Sequence, residues 1–314
     1  MAADGRVEPR HLAVALSLQL DVVAAEVVGA FRSAGIPSIL LRGPAVATWL
    51  YKDEGRPYFD VDLLVPARSV PQAAACLEEL GFEDVSVEGV LRGDRPAHAR
   101  TWARRKRDLV DLHTTVVGVR LPPDDAWAVL AEDAETLDVG GKEIKILHQP
   151  ARALMLALHA AQHGARSPST LEDLRRVLAQ LQLATWQQAS SLAAQLDAVD
   201  AFAAGLRLVP TGAEIADRLQ LPSSASVDVA LRVRTPPPMA LGFEWFSQTQ
   251  GLQGRLSLAA RKVVPTPAFM RAWSPLAGRG RTGLVLAYAW RPVWLALHAG
   301  PAFLAWRRAR KSAV

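Results

Sequence analysis

Three aspartates lie in two short apolar stretches of the chain, where carboxylates are unusual. Asp60 and Asp62 are one residue apart in the stretch F-D-V-D-L-L-V at residues 59–65. A strand places alternate residues on the same side, so these two carboxylates point the same way. Two such carboxylates repel each other and are costly to bury unless a cation compensates their charge. Oxygen ligands of this kind suit magnesium, so the pattern predicts a magnesium site.

A third carboxylate occurs in the stretch L-V-D-L-H at residues 109–113. In a strand, Asp111 and His113 share one face, and the two apolar neighbours share the other. Asp111 is therefore the natural third carboxylate, and His113 is interpreted as a neighbouring structural residue rather than a ligand. The alternative is that the aspartates line the solvated face of edge strands. The continuous apolar run after Asp62 instead favours a strand that is covered on both faces.

A basic residue and a glycine lie just upstream of this strand. Apolar residues 39–41 run into Arg42-Gly43-Pro44. Pro44 suits the first position of a short helix over residues 44–51, where its missing N–H costs nothing. The free N–H groups of such a helix start, together with Arg42 and the flexible Gly43, would attract phosphate oxygens. The segment is therefore a candidate phosphate contact.

Together these motifs resemble the bacterial uncharacterised nucleotidyltransferase family, within the superfamily of DNA polymerase beta and the aminoglycoside nucleotidyltransferases. That family's pattern is an apolar strand, a basic residue with Gly, a short helix ending near Tyr, then Arg and D-[IV]-D-L-L-V. Here it matches Arg42-Gly43, Tyr51, Arg56 and residues 60–65. A later V-D-L-H matches residues 110–113, and H-x-x-x-H followed by D-L matches His159, His163 and residues 173–174. The resemblance extends to about residue 180.

The resemblance implies a metal-dependent enzyme that moves a nucleoside monophosphate from an NTP to an acceptor hydroxyl and releases pyrophosphate. It implies two magnesium ions held by Asp60, Asp62 and Asp111, with Asp111 also helping to activate the attacking hydroxyl. Arg42, Gly43 and Arg56 would hold the triphosphate, since the planar fork of arginine binds phosphate bidentately. The acceptor stays open among a small molecule, a saccharide, a peptide and a protein, and nothing selects ATP among the NTPs.

Two rival functions remain. A glycosyltransferase that uses D-x-D, a metal and a nucleotide-sugar needs more βα units than the N-terminal half offers. A non-catalytic nucleotide-binding module of the same fold stays open, because the superfamily's usual Gly-Ser pair is Gly43-Pro44 here. His159 and His163 have the spacing of metal ligands, but the Glu of the H-E-x-x-H motif is absent between them. The interpretation as a zinc-protease site is therefore rejected. The resemblance suggests that they pack toward the site or pair with Asp173.

The predicted fold class is α+β, with a small mixed sheet followed by a helical domain that closes a cleft over the carboxylates. The domains are residues 1–148 and 149–314. Strands are predicted over residues 37–41, 59–65 and 82–88, with hairpins over 98–115 and 136–147, the second turning at two glycines. Helices are predicted over residues 9–34, 44–51, 69–80 and 124–132, and about three more over 169–219. The basic run at 104–107 is interpreted as a solvated turn.

Composition indicates a chain with a sizeable core and no need for disulfides. Half of the residues are hydrophobic, the net charge is +5 and Cys76 is the single cysteine. We therefore expect a cytoplasmic protein, and the polar start of the sequence shows no signal peptide. The excess of positive charge is modest and clusters in the last forty residues, so no stable nucleic-acid partner is expected.

The basic C-terminal tail, residues 279–311, is rich in Trp, Leu and Ala. Arg291, Pro292 and His298 interrupt its apolar run, which argues against a membrane span. The preferred interpretation is a terminal helix pair that packs its Trp and Leu face on the helical domain. Peripheral contact with an anionic membrane is the alternative and is not favoured.

Overall fold

A computed structural model describes residues 9–86, 98–105 and 107–312 of the protein. The strands are β1 Ile39–Leu40, β2 Val61–Leu64, β3 Glu83–Asp84, β4 Ala99–Arg104, β5 Asp108–His113, β6 Glu135–Val139 and β7 Lys142–Ile146. The helices are α1 Pro9–Ser33, α2 Pro44–Leu50, α3 Val70–Glu79, α4 Pro123–Ala131, α5 Gln149–His163, α6 Pro168–Gln180, α7 Leu183–Gln195, α8 Val199–Leu206, α9 Pro210–Arg218, α10 Val227–Val233, α11 Ala240–Gln248, α12 Leu252–Val263, α13 Pro267–Trp273 and α14 Gly280–Ser312.

One mixed sheet joins all seven of these strands in the order β3-β4-β5-β2-β1-β7-β6. The central strand β2 runs parallel to β5 and antiparallel to β1, and β1 runs parallel to β7. Two antiparallel hairpins, β4–β5 and β6–β7, form the sheet's outer parts. The predicted α+β class is therefore confirmed, as are both predicted hairpins.

Several predicted strands are shorter in the structure. β1 has two residues and β2 has four. Asp60 therefore precedes β2 rather than lying inside it. Of the predicted third strand, Glu83–Asp84 is assigned as a strand, and positions 87–88 lie outside the described residues. The apolar runs predicted the positions of these strands correctly. Their lengths depend on pairing partners that the runs do not specify.

Helices cover both faces of the sheet. On one face α1 contributes Leu20, Val23, Val27 and Phe31, which recur at helical spacing and form a core with β2 and β5. On the other face α5 is buried along most of its length and packs with the helices that follow it. Because that second core joins sheet residues to residues beyond 149, both predicted domains share it. The boundary near residue 149 itself stays a prediction.

The helical part differs from the prediction in one detail. Residues 169–219 hold four helices, α6 to α9, rather than about three. The additional break falls before Pro210, which begins α9 at a position where a helix tolerates a missing N–H.

The basic run at residues 104–107 is only partly a turn, which corrects the prediction. Arg104 is the last residue of β4, and its guanidinium lies 4.5 Å from the centre of the Phe82 ring. Its Nε donates to Asp108 at 3.0 Å, and its Nη2 donates to Glu26 at 2.6 Å. Arg104 therefore ties the hairpin to α1 instead of facing solvent or a phosphate.

The C-terminal tail also departs from the prediction, because α14 is one continuous helix of 33 residues rather than a helix pair. Its inner face is anchored: Arg291 stacks on Phe269 and Trp273, and the indole of Trp306 donates to Glu244 at 2.7 Å. Many of its large apolar side chains stay exposed on the outside. Within the described residues, no helix has the length and apolarity needed to cross a membrane.

The close approach of α8 to α5 generates a stability prediction. A Cβ added to Gly205 on α8 would lie 2.0 Å from the carbonyl oxygen of Ala157 on α5. Gly205→Ala is therefore expected to lower the free energy of unfolding by about 1–3 kcal/mol, because the helices must move apart. Gly242→Ala is the matched control, since Gly242 lies in α11 with nothing within 4 Å of the added Cβ.

The control is expected to be neutral or stabilising by up to about 1 kcal/mol, because alanine is the better helix former. Urea denaturation of both variants measures the difference. Equal stabilities for the two variants would contradict the tight α5–α8 contact.

Candidate active site

The pairing of two strands places two of the predicted carboxylates side by side. β2 and β5 are parallel and in register, with Asp62 opposite Asp111 and Leu64 opposite His113. The intervening Val61, Leu63, Val110 and Leu112 are buried in the core on the other face of the sheet. Because those apolar residues fix the register, the alternate residues Asp62 and Asp111 are held on one face.

Asp62, Asp111 and His113 form a compact cluster in which one ligand atom from each lies within 4.8 Å of the others. Asp62 is only 2% exposed, and the imidazole Nε2 of His113 donates to its Oδ1 at 2.9 Å. Among the described residues, Oδ1 of Asp111 and Nδ1 of His113 are buried and have no hydrogen-bond partner. A buried carboxylate oxygen without a partner is costly, so this position is suited to a ligand.

Asp60 lies beside this cluster rather than in it. Burial and then the charge of Asp62 raise the pKa of its carboxyl to about 6, while Arg42 acts in the opposite direction. The charges of Asp62, Asp111 and His113 also act on its pKa, so Asp60 lies near the same charged site. The structure therefore brings Asp62 and Asp111 together with His113, and Asp60 is not part of that cluster.

Arg42 supplies positive charge to this face of the sheet. Its guanidinium Nη2 donates to Oδ1 of Asp62 and forms an ion pair with it. Burial alone would raise the pKa of Asp62, but Arg42 and the hydrogen bond from His113 outweigh that effect and hold the pKa well below its usual range. Asp62 is thus a permanent anion, and Arg42 is the cation that compensates it.

The other terminal nitrogen of the Arg42 guanidinium contacts the helical part of the chain. Its Nη1 lies 2.7 Å and 2.8 Å from the two ring nitrogens of His159 on α5. Burial, followed by the charge of Arg42, lowers the pKa of His159 well below its usual range, so the imidazole is neutral and accepts a hydrogen bond. The ring of His163 packs edge-on against it at 4.4 Å between ring centres. The expectation that the two histidines pack toward the site is met in this geometry.

Gly43 connects Arg42 to α2 in a conformation that suits glycine. Its φ is 63° and its ψ is −118°, and Pro44 follows at the first turn of the helix. An added Cβ would lie 3.4 Å from the ring of Tyr58 and would be strained by the positive φ. Gly43 therefore sets the direction in which the chain leaves β1 and holds Arg42 beside Asp62.

Arg56 occupies a different position from the other predicted phosphate contacts. Its Nε and Nη2 donate to the two carboxylate oxygens of Asp173 at 2.9 Å and 2.7 Å. The hydroxyl of Tyr51 donates to the same carboxylate at 2.7 Å. Asp173 thus pairs with Arg56 and Tyr51, so the alternative in which it pairs with the histidines is not the one that the structure shows. The part of Arg56 in nucleotide binding stays a prediction.

The sequence contained no sign of the contact between Arg42 and His159. The two residues are 117 positions apart, and the H-x-x-x-H spacing showed only that the two histidines share a helix face. The chemistry of the assembled site nevertheless follows from its residues. Carboxylate oxygens of Asp62 and Asp111, with Asp60 adjacent, fit a divalent cation that prefers oxygen ligands. Arg42 offers donors for a phosphate next to them.

Solved structures to which the chain is similar include ANT(2'')-Ia in complex with adenylyl-2''-tobramycin, at 13% identity and a TM-score of 0.38 over 57% of this chain and 97% of that one. The lincosamide antibiotic adenylyltransferase LnuA aligns at 13% identity and a TM-score of 0.34 over 48% of this chain and 92% of that one. An antigenic nucleotidyltransferase-like protein from Paracoccidioides brasiliensis aligns at 19% identity and a TM-score of 0.37. That alignment covers 66% of this chain and 92% of the other.

No curated protein matches the sequence significantly. The family model described as "Uncharacterised nucleotidyltransferase" matches residues 10–211. That range holds every site residue discussed above and more than half of the 314 residues. The protein therefore belongs to the uncharacterised nucleotidyltransferase family and is a nucleotidyltransferase.

Proposed function

We propose that the protein transfers a nucleoside monophosphate from an NTP to an acceptor hydroxyl, with release of pyrophosphate, and that the reaction depends on magnesium. The observation that supports this most strongly is the side-by-side placement of Asp62 and Asp111, with a buried and unpartnered Asp111 oxygen among the described residues. Family membership sets the glycosyltransferase alternative aside, because it identifies the class of transferred group.

In the proposal, Asp62 and Asp111 hold the metal, and Asp60 completes the site from its edge. The bound metal would supply charge compensation on the phosphates and a template for in-line attack. His113 fixes the orientation of Asp62 through its 2.9 Å hydrogen bond. Asp62 can therefore present its other carboxylate oxygen without losing its position, as ligands supported by neighbouring hydrogen bonds do.

Arg42 has the second task in the proposal, which is to bind the triphosphate together with the backbone at Gly43. Its guanidinium already lies at the carboxylates, so a phosphate placed near Asp62 comes within reach of the same donors. The neutral imidazole of His159 keeps the guanidinium oriented without adding a competing charge. The acceptor hydroxyl would approach the carboxylate of Asp111, which can orient it and accept its proton.

The first functional prediction concerns the carboxylates. Asp62→Asn and Asp111→Asn are each expected to lower the rate of nucleotide transfer by at least about 100-fold, because each removes a formal charge from a site that stabilises the transition state. Mass spectrometry of a cell extract incubated with labelled NTPs and magnesium identifies the product, and single-turnover assays then measure the rate. Asp133→Asn, at an exposed carboxylate on the surface, is the control.

Asp111→Asn is expected to affect turnover more than binding of a non-hydrolysable NTP, because its proposed partner is the acceptor hydroxyl. Wild-type rates in both variants would refute the metal-site assignment. Nucleotide binding without any transfer in the wild-type protein would instead indicate the non-catalytic module.

A second prediction concerns stability in metal-free solution. The pKa of Asp60 is about 6 in the folded protein, against an ordinary value of 3.8. The folded state therefore binds the proton of Asp60 more tightly than the unfolded state does. The contribution of Asp60 to the free energy of unfolding falls as pH rises from about 4 to about 6, and above that pH it stays constant. The difference between the two pKa values corresponds to roughly 3 kcal/mol.

Asp60→Asn is therefore expected to unfold at a higher temperature than the wild-type protein at neutral pH, and the gap should close toward pH 4. Thermal unfolding in chelator across this pH range measures the gap, with Asp133→Asn as the surface control. A gap that is the same at every pH would show that Asp60 does not titrate as described.

A further inference from the structure

Charge is distributed very unevenly along this chain. After Glu244 the sequence contains no Asp or Glu, but it contains 11 Lys and Arg residues in its last 70 positions. The preceding residues carry 31 acidic and 25 basic side chains, so the positive net charge of the whole protein comes from its C-terminal segment. Within the described residues, this segment forms α12, α13 and α14.

The outer face of α14 is apolar over most of its length. Leu286, Trp290, Val293, Leu297 and Leu304 follow one another at intervals of four, three, four and seven residues. That spacing places them on one side of a helix. All five are exposed, including Trp290 at 48% and Leu297 at 64%. We call these five residues the outer stripe.

Basic residues continue the outer stripe at the C-terminal end of the helix. Lys311 follows Leu304 by seven residues and Arg308 follows it by four, so both lie on the side of the outer stripe. Arg307 and Arg310 are also exposed there. Arg281 is exposed at the other end of the helix. The apolar part between these two ends, residues 285–304, is about 30 Å long at 1.5 Å per residue.

The inner face of the same helix is already occupied. Arg291 donates from Nε to the carbonyl of Lys262 at 3.0 Å, and the hydroxyl of Tyr288 donates to the carbonyl of Pro265 at 2.6 Å. The indole N–H of Trp306 donates a hydrogen bond to Glu244 on α11. α14 is therefore fixed to the protein by one side, and its outer stripe faces away from the core.

We propose that the outer stripe of α14 docks on the surface of a membrane that contains anionic lipid. A helix lying in the interfacial plane needs an apolar face to enter the acyl boundary and basic groups to meet the headgroups. α14 has both on one side, and the acid-free C-terminal segment adds no opposing charge. Trp290 in the outer stripe suits the headgroup region.

Two other partners fit less well. A second copy of the chain would place one basic segment against another, with no acidic residue in either to pair with it. Pro292 and Pro301 within α14 would also disturb a regular coiled coil. A nucleic acid would meet an outer stripe that has no charged group and only one hydrogen-bond donor, the indole N–H of Trp290. Interfaces with nucleic acid are, in contrast, strongly polar.

The test is flotation of the full-length protein with vesicles of phosphatidylcholine alone or with added phosphatidylglycerol. We expect binding to the anionic vesicles, weaker binding in high salt, and little binding to the neutral ones. The double variant Trp290→Glu, Leu297→Glu should lose binding. Leu18→Glu, Val22→Glu is the matched control, because it changes two exposed apolar residues of α1 and should bind as the wild type does.

Replacing Arg307, Arg308 and Lys311 by Gln should weaken binding by about fivefold for each residue changed, as expected for one basic group near an anionic surface. Circular dichroism and thermal unfolding confirm that each variant is folded. Absence of flotation with the folded wild type would overturn the proposal, as would flotation that survives Trp290→Glu, Leu297→Glu.

Light scattering of the same samples tests the rival partner. Concentration-dependent dimers that are lost in Trp290→Glu, Leu297→Glu, without lipid binding, would assign the outer stripe to a second copy and also overturn the proposal. Binding to single- or double-stranded nucleic acid that depends on the basic triplet but not on Trp290 and Leu297, again without flotation, would do so as well.

Discussion

The structure of the site depends on the ion pair between Arg42 and Asp62. Two carboxylates on adjacent strands repel each other, and Asp62 is almost fully removed from water. Arg42 compensates that charge, and the hydrogen bond from His113 adds to the effect. Removing one partner from such a pair leaves a buried charge alone, which is strongly destabilising. The positive φ of Gly43 and the contact with His159 are both ways of keeping this guanidinium in place.

Arg42 also connects the two parts of the fold through its contact with His159. Arg42 follows β1, whereas His159 belongs to α5, the helix that packs across one face of the sheet. A second link is made by Asp173 on α6, which receives hydrogen bonds from Arg56 and Tyr51. Both links are polar and both involve an arginine from the segment between β1 and β2. The helical part therefore takes part in forming the site rather than only covering it.

How much of this could be predicted from the sequence depended on whether the relevant pattern was local. The alternation of Asp62 and of Asp111 with apolar residues predicted that each points away from the apolar face of its strand, because a strand has a period of two. Their common side follows from the pairing of β2 with β5. The contact of Arg42 with His159 could not be predicted, since it arises from packing between distant segments. For α14, a helix pair was predicted, but the structure has one helix with Pro292 inside it, and its course is set by packing against other helices that the local sequence does not reveal.

The uneven charge of the chain has a consequence for how the molecule orients. Residues 1–244 carry more acidic than basic side chains, and the C-terminal segment carries only basic ones, so the two parts of the chain have net charges of opposite sign. Near a negatively charged surface, a torque acts on such a molecule before any contact is made. It turns the C-terminal segment toward the surface and the acidic part away from it. The aspartates of the site belong to the acidic part of the chain, which a negatively charged surface repels.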